Sequence, residues 1–283
     1  MQTEDPLVSA DWLKEHLDAP DIRVVDASWI PPWGADYGEG AAKRLYLQEH
    51  IPGAVFFDID DIADETTDLP HMIPSAEKFS SRARKLGLGD GKTIIVYDRS
   101  SFMASARVWW MLRLFGHNDV KVLDGGLQAW HAADGPVEDL DTMVSERHFT
   151  VRFQNQLLKT QDQISQGLED ASNTLLDARP AGRFDGTEPE PRAGLSSGHI
   201  PGSVSLPATS LMNPDGTLKS NDQLAGIFGN KAEAPQITAS CGSGVSAALI
   251  LLALFRLGRD DIALYDGAWT EWASNSSNPI EKV

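Results

Sequence analysis

One cysteine among 283 residues is the first chemical feature of this chain. Cys241 stands in Ile237-Thr-Ala-Ser-Cys241-Gly-Ser-Gly-Val-Ser-Ala-Ala248, an apolar run, a loop of small residues and a second apolar run. That order reads as strand, turn and helix, with the cysteine at the carboxyl end of the strand, where open α/β sheets bind their ligands. Gly242 and Gly244 let the backbone curl so that successive N–H groups face one point. Such a nest, continued by a helix N-terminus, binds anions and favours the thiolate, which is the nucleophilic form. A lone cysteine is more often a buried small hydrophobe. The two glycines and two serines that flank Cys241 at the turn favour the nucleophile instead. Cysteine phosphatases use a similar loop but need an arginine six residues beyond the cysteine for forked phosphate binding. That position is Ala247, which argues against phosphate chemistry.

Other residues could serve such a nucleophile. Gly182-Arg183-Phe184 and Glu190-Pro191-Arg192 share a glycine- and proline-rich loop over 178–198. Two arginines there could grip a carboxylate by forked hydrogen bonds. Spacing alone allows equally that they are surface residues paired with Asp185, Glu188 and Glu190. A long loop carries Asp60 and His71, and a loop of that length could reach over a neighbouring domain. Taken singly, such a histidine is more often a turn or surface residue.

The chain repeats itself once. Val24-Val25-Asp26-Ala27 resembles Leu175-Leu176-Asp177-Ala178, His50-Ile51-Pro52-Gly53 matches His199-Ile200-Pro201-Gly202, and Asp124-Gly125-Gly126 matches Asp266-Gly267-Ala268, all in the same order. A period this long means two domains of one fold rather than a solenoid. The expected division is 1–137, a polar linker over 138–156, and 157–283. His50 and His199 recur in both copies although only one has a cysteine, so both read as turn residues. Where the second copy has its cysteine, the first has Asp98 in Val96-Tyr97-Asp98-Arg99. An aspartate there offers no thiol nucleophile, which leaves the first copy non-catalytic.

The elements that must position these groups alternate. Strands are expected over 22–26, 93–97, 120–123, 174–177, 236–239 and 262–265, and helices over 104–115 and 245–257 with Gly116 and Gly258 as left-handed caps. Ser9 can cap a short helix through Leu17, and Thr160 with Gln163 has the capping-box spacing. Trp109-Trp110-Met111 and the run 247–255 read as core, the latter a helix apolar all round. Strand–helix alternation predicts an α/β fold with mostly parallel sheets flanked by helices.

Composition narrows the partners. Twenty-four Lys and Arg against 41 Asp and Glu give a net charge of −17, which disfavours nucleic acid and anionic membranes. The first residues lack the apolar core of a signal peptide and no run is long enough to span a bilayer, so a cytoplasmic protein is expected. His and Cys are too few for a metal site, and no glycine-rich nucleotide motif occurs, so neither metal nor other cofactor is expected.

The Cys241-Gly-Ser-Gly-Val-Ser loop, the paired His-Ile-Pro-Gly turns and the Asp-Gly endings resemble the tandem rhodanese family over nearly the whole chain. The loop is most similar to the 3-mercaptopyruvate sulfurtransferase branch, with Ser246 where that branch usually has Thr. The thiosulfate branch carries Arg and Lys directly after its cysteine, and here those positions are Gly242 and Ser243. The resemblance implies two rhodanese-like domains and a persulfide on Cys241, with Gly242, Gly244, Val245 and Ser246 around the sulfur. It implies that Arg183 and Arg192 hold the donor carboxylate and that Asp60, His71 and Ser243 relay a proton to the leaving enolate. Sulfur would pass to a thiol, as on a thioredoxin-like protein, or to cyanide. A thiosulfate sulfurtransferase and a protein-fed persulfide carrier remain the alternatives.

Overall fold

The computed structural model describes residues 4–31, 33, 38, 40–99, 102, 104–168, 170 and 172–283. The first copy contains β1 (Leu7–Val8), α1 (Ala10–His16), β2 (Ile22–Asp26), α2 (Ala41–Gln48), β3 (Val55–Phe56), α3 (Ala76–Lys85), β4 (Thr93–Tyr97), α4 (Ser105–Leu114), β5 (Val120–Leu123) and α5 (Gly126–Ala132). The second contains β6 (Leu158–Lys159), α6 (Gln161–Gln166), β7 (Asn173–Asp177), α7 (Ala181–Asp185), β8 (Val204–Ser205), α8 (Asn221–Phe228), β9 (Gln236–Ser240), α9 (Ala247–Arg256), β10 (Ile262–Tyr265) and α10 (Ala268–Ser274).

Each copy folds into a five-stranded sheet, in the order β1-β5-β4-β2-β3 and β6-β10-β9-β7-β8. All pairings are parallel. Parallel neighbours need crossovers, and helices over both faces supply them, which is why β4 reads Thr-Ile-Ile-Val-Tyr and β10 Ile-Ala-Leu-Tyr rather than alternating patterns. Local signals set the helix starts. Ser9 accepts from Trp12 N at the start of α1, and Thr160 and Gln163 form a capping box at α6.

The sheets bury their outer faces separately and their inner faces together. Leu13, Val24, Ile95 and Trp130 pack on the outer face of the first, and Ile164, Leu175, Trp269 and Trp272 on that of the second. One continuous core joins Val25, Val96 and Trp109 of the first copy to Leu176, Ala239, Cys241 and Leu252 of the second. α4 and α9 meet there, with Trp109 edge-on to Phe255 at 5.4 Å and the Arg113 guanidinium 4.0 Å from the Phe255 ring. Residues 247–254 of α9 are all buried, as an all-round apolar helix requires.

Both His-Ile-Pro-Gly turns serve the fold. His50 Nδ1 lies 2.7 Å from Tyr46 O and its ring stacks on Tyr46, while His199 Nδ1 lies 2.9 Å from Phe184 O and stacks on Phe184. Each pairs its backbone with a glutamate, Glu138 and Glu281 respectively. The stretch whose composition suggests a linker packs on the first copy well beyond Glu138, with Thr142 N donating to Tyr46 Oη, Arg147 N to Arg84 O and Arg152 N to Phe115 O. No helix among the described residues is long and apolar enough to cross a membrane.

Gly116 and Gly258 end α4 and α9 at φ of 95° and 93°. A Cβ at Gly116 would lie 2.6 Å from Arg152 O, whereas none at Gly258 would meet anything within 4 Å. Gly258→Ala should therefore cost only the left-handed backbone, about 1 kcal/mol. Gly116→Ala should cost clearly more, because the backbone at Arg152 must move. Urea unfolding of the two variants checks this, and equal losses would contradict it.

Candidate active site

β9 ends at Ser240, and Cys241 begins the loop beyond its carboxyl edge. The loop's carbonyls are tied away from the cysteine side chain. Trp269 N donates to Cys241 O at 3.0 Å, Thr270 N and Oγ1 donate to Gly242 O at 3.0 and 2.6 Å, and Arg107 Nη1 donates to Gly244 O at 3.3 Å. With the carbonyls engaged elsewhere, the amides of the loop are the groups left for an anion. Gly244 takes φ of 77°, and a Cβ there would lie 2.8 Å from Asp266 O and 3.0 Å from Arg107 Nη1. Only glycine fits that position.

The first copy shows what this turn does with negative charge. Asp98 Oδ2 accepts from Ala104 N at 2.9 Å and Ser105 N at 2.7 Å. There the chain's own carboxylate fills the helix N-terminus that α9 offers beside Cys241.

Cys241 is 2% exposed and lines a cavity of about 240 Å3 together with Gly242, Ser243, Val245 and Ser246. Arg183 and Arg192 line the same cavity. The surface pairings open to them do not form. Glu190 instead meets the buried Arg179 at 2.7 Å, and Arg179 also holds Asp177 at 2.6 Å, donates to Gly198 O at 2.8 Å and lies 4.3 Å from the Trp269 ring. No ion pair engages Arg183 among the described residues. Arg192 Nη2 donates to Ser243 Oγ at 3.2 Å, and its guanidinium lies 4.8 Å from the Trp33 ring. Burial pulls the Arg192 pKa below its usual value, Cys241 and Glu190 oppose that shift, and the neighbouring Arg183 adds to it. A bound carboxylate would relieve this crowding of positive charge.

Asp60 and His71 come together from their long loop, with His71 Nδ1 2.8 Å from Asp60 Oδ1. Trp29 Nε1 donates to the other Asp60 oxygen at 3.0 Å, and the Trp29 and His71 rings meet edge-on at 4.9 Å. Burial alone would raise the Asp60 pKa, but the His71 and Trp29 hydrogen bonds and the Arg192 charge hold it below the ordinary value. Trp29 lines the cavity while contacting both Asp60 and His71. His71 Nε2 is buried without a hydrogen-bond partner. Asp60 with His71 and Ser243 with Arg192 therefore form two separate pairs, with no hydrogen bond from His71 to Ser243.

Three supporting residues escaped the sequence reading. Arg179 anchors Glu190 two residues before Arg192, Trp29 braces Asp60, and Arg107 reaches from α4 into the catalytic loop. The available signal for Arg107 is that it is one of two arginines, with Arg113, inside a largely apolar helix.

Residues 9–133 and 160–275 each match the rhodanese-like domain. The chain is 42% identical over 280 residues to the 3-mercaptopyruvate sulfurtransferase of Escherichia coli (strain K12), with 98% of each covered. It is 40% identical over 276 residues to the thiosulfate sulfurtransferase of Rattus norvegicus, covering 94% of this chain and 91% of that protein. The crystal structure of SseA from Escherichia coli, solved in a study of 3-mercaptopyruvate sulfotransferases, superposes with a TM-score of 0.85 at 40% identity. The match covers 94% of this chain and 99% of that one.

Glu190 is 3% exposed in its pair with Arg179. Glu190→Ala removes one charged hydrogen bond while Asp177 still balances the arginine, so the expected loss is about 2 kcal/mol in urea unfolding. A variant as stable as wild type would remove this pair from the supports of the Arg192 loop.

Proposed function

Because the chain belongs to the rhodanese family, as two rhodanese-like domains in tandem, we propose that it is a 3-mercaptopyruvate sulfurtransferase working through a persulfide on Cys241. The observation that carries this reading is the shared cavity. The one cysteine lies in an amide-rich loop on one wall, and two arginines without carboxylate partners from their own loop face the same space.

In the first half-reaction the Cys241 thiolate attacks the donor's sulfur. The new S–S bond forms as the donor's S–C bond breaks, and the electron pair leaves on the pyruvate enolate. The proton that the donor sulfur carried ends on the enolate carbon, giving pyruvate and a deprotonated persulfide. Arg183 and Arg192 hold the donor carboxylate at the end remote from sulfur. The amides of Gly242, Ser243, Gly244, Val245 and Ser246 surround the terminal sulfur anion. His71, oriented through Nδ1 by Asp60, has Nε2 free to move a proton, and Ser243 Oγ, which accepts from Arg192, keeps its own proton to donate. In the second half-reaction a thiolate or cyanide attacks the terminal sulfur and releases the Cys241 thiolate.

Residues 1–137 form the non-catalytic domain in this reading and 157–283 the catalytic one, joined by 138–156. The acceptor is a small thiol, a thiol on a thioredoxin-like protein, or cyanide. Thiols are kept reduced in the cytoplasm, which suits that location. Thiosulfate is the weaker donor assignment, because Gly242 and Ser243 place no cation where a dianion's outer charge would lie. A protein-fed carrier would need no arginine pair in the cavity.

Cys241→Ser should abolish turnover with every donor, and mass spectrometry of donor-treated wild type should find one added sulfur on Cys241. Appreciable activity of the serine variant would end the covalent reading.

Donor choice is tested separately. Wild type should prefer mercaptopyruvate, and the double variant G242R/S243K should move the ratio of kcat/KM values toward thiosulfate at fixed ionic strength. Arg183→Ala should lower mercaptopyruvate efficiency about tenfold to a hundredfold and thiosulfate efficiency less. A wild type that already prefers thiosulfate would refute the donor assignment and leave the persulfide intact.

A further inference from the structure

The copy without a nucleophile contributes one fully buried cation to the copy that has one. Arg107, the third residue of α4, has 0% exposure. Its Nη1 lies 2.6 Å from Asp266 Oδ1 and 3.3 Å from Gly244 O, and its Nη2 lies 2.6 Å from His71 O. The guanidinium also lies 4.6 Å from the Trp110 ring. The second oxygen of Asp266 accepts from Ile73 N at 2.8 Å.

The fold itself does not ask for this arginine. The corresponding third position of α9 is Leu249. The reciprocal backbone contact exists, with Leu218 N donating to Asp124 Oδ1 at 2.8 Å. Asp124 has the repeat position of Asp266, so each copy clamps a loop of the other. Only the clamp beside the cysteine contains a guanidinium bonded to two carbonyls.

We propose that Arg107 is a positioning residue for sulfur transfer, fixing the cysteine loop and the His71 segment in one frame; the proposal rests on the sulfurtransferase reading above. The two carbonyls it binds belong to separate functional segments, one in the amide nest and one at the relay histidine. A planar fork holds both at fixed mutual geometry, which a single ammonium cannot do. The segments are also ones that need holding. His71 has φ of 62°, an uncommon conformation for a residue with a Cβ. Arg107 secures its carbonyl, and Asp266 secures the amide two residues on. Gly244 is likewise left-handed, with Arg107 Nη1 closing the space where a side chain would stand.

Arg107 stands outside the substrate cavity's lining, so its loss should act on the chemical step rather than on donor affinity. The test uses the full chain with R107K, which keeps a countercharge for Asp266 but loses the fork. We expect near-UV circular dichroism like that of wild type and kcat for mercaptopyruvate lower by about tenfold to a hundredfold. KM should change by less than about threefold, because Arg183 and Arg192 are untouched. The double variant R107M/D266N leaves neither charge buried alone and should show the same split between kcat and KM, which keeps the test decisive if R107K folds poorly. Wild-type kcat in whichever variant folds, below its unfolding temperature, would overturn the proposal and leave Arg107 with a purely structural role. A rise in KM with kcat unchanged would overturn it too. Wild type that gains no sulfur on Cys241 would overturn the sulfurtransferase reading and this assignment with it, whereas persulfide in wild type with unchanged kcat in the variants defeats the assignment alone.

Discussion

A buried ion pair at the junction of the two copies is the contact on which the site most depends. Removing Arg107 and Asp266 from water costs several kcal/mol per ion, and attraction between them offsets that only with good geometry and further hydrogen bonds. Here the guanidinium finds a carboxylate, two carbonyls and an aromatic face, and the carboxylate finds a backbone amide as well. Those partners come from α4, from the loop bearing His71, from the cysteine loop and from the turn after β10. Separating the copies would strand a charge on each side. The shared apolar core between α4 and α9 adds a second, non-directional reason for them to stay together.

Duplication explains the shape of the site better than either copy alone. In both copies a central strand is followed by a turn into a long buried helix, β4 into α4 and β9 into α9. In the first, Asp98 satisfies the helix amides from within the chain. In the second, the side chain at that turn is a cysteine, and the amides stay available to something brought from outside. In the proposed reaction the second loop would hold the persulfide anion much as the first holds Asp98. The first copy's long loop and α4 pack against the cysteine loop as braces.

Much of this was legible in the residues themselves. Strands 22–26, 93–97, 120–123 and 262–265 stand where their apolar runs place them, because a strand covered on both faces is largely apolar. The two-residue strands β1, β3, β6 and β8 are too short to carry a pattern. α8 escaped although Ser220 and Gln223 form a capping box before Leu224. Cys241, Arg183 and Arg192 were legible because glycine and proline mark their loops. Arg107 was not, since its partners lie 36 and 137 residues away in sequence and only the packing of two domains brings them together. Arg179 and Trp29 share that difficulty. Both act on a neighbour of a site residue, and nothing in their own flanks marks them.

The size of the cavity bears on the order of events. Cys241 is 2% exposed and faces a cavity of about 240 Å3, which is confined space for two substrates at once. If donor and acceptor use that space in turn, the ketoacid product departs before the acceptor arrives, and the enzyme alternates between a free thiolate and a persulfide. Excess donor would then occupy the loaded form unproductively and hold back its own discharge. The ratio of the two substrates around the enzyme, more than the amount of either, would govern how fast sulfur moves.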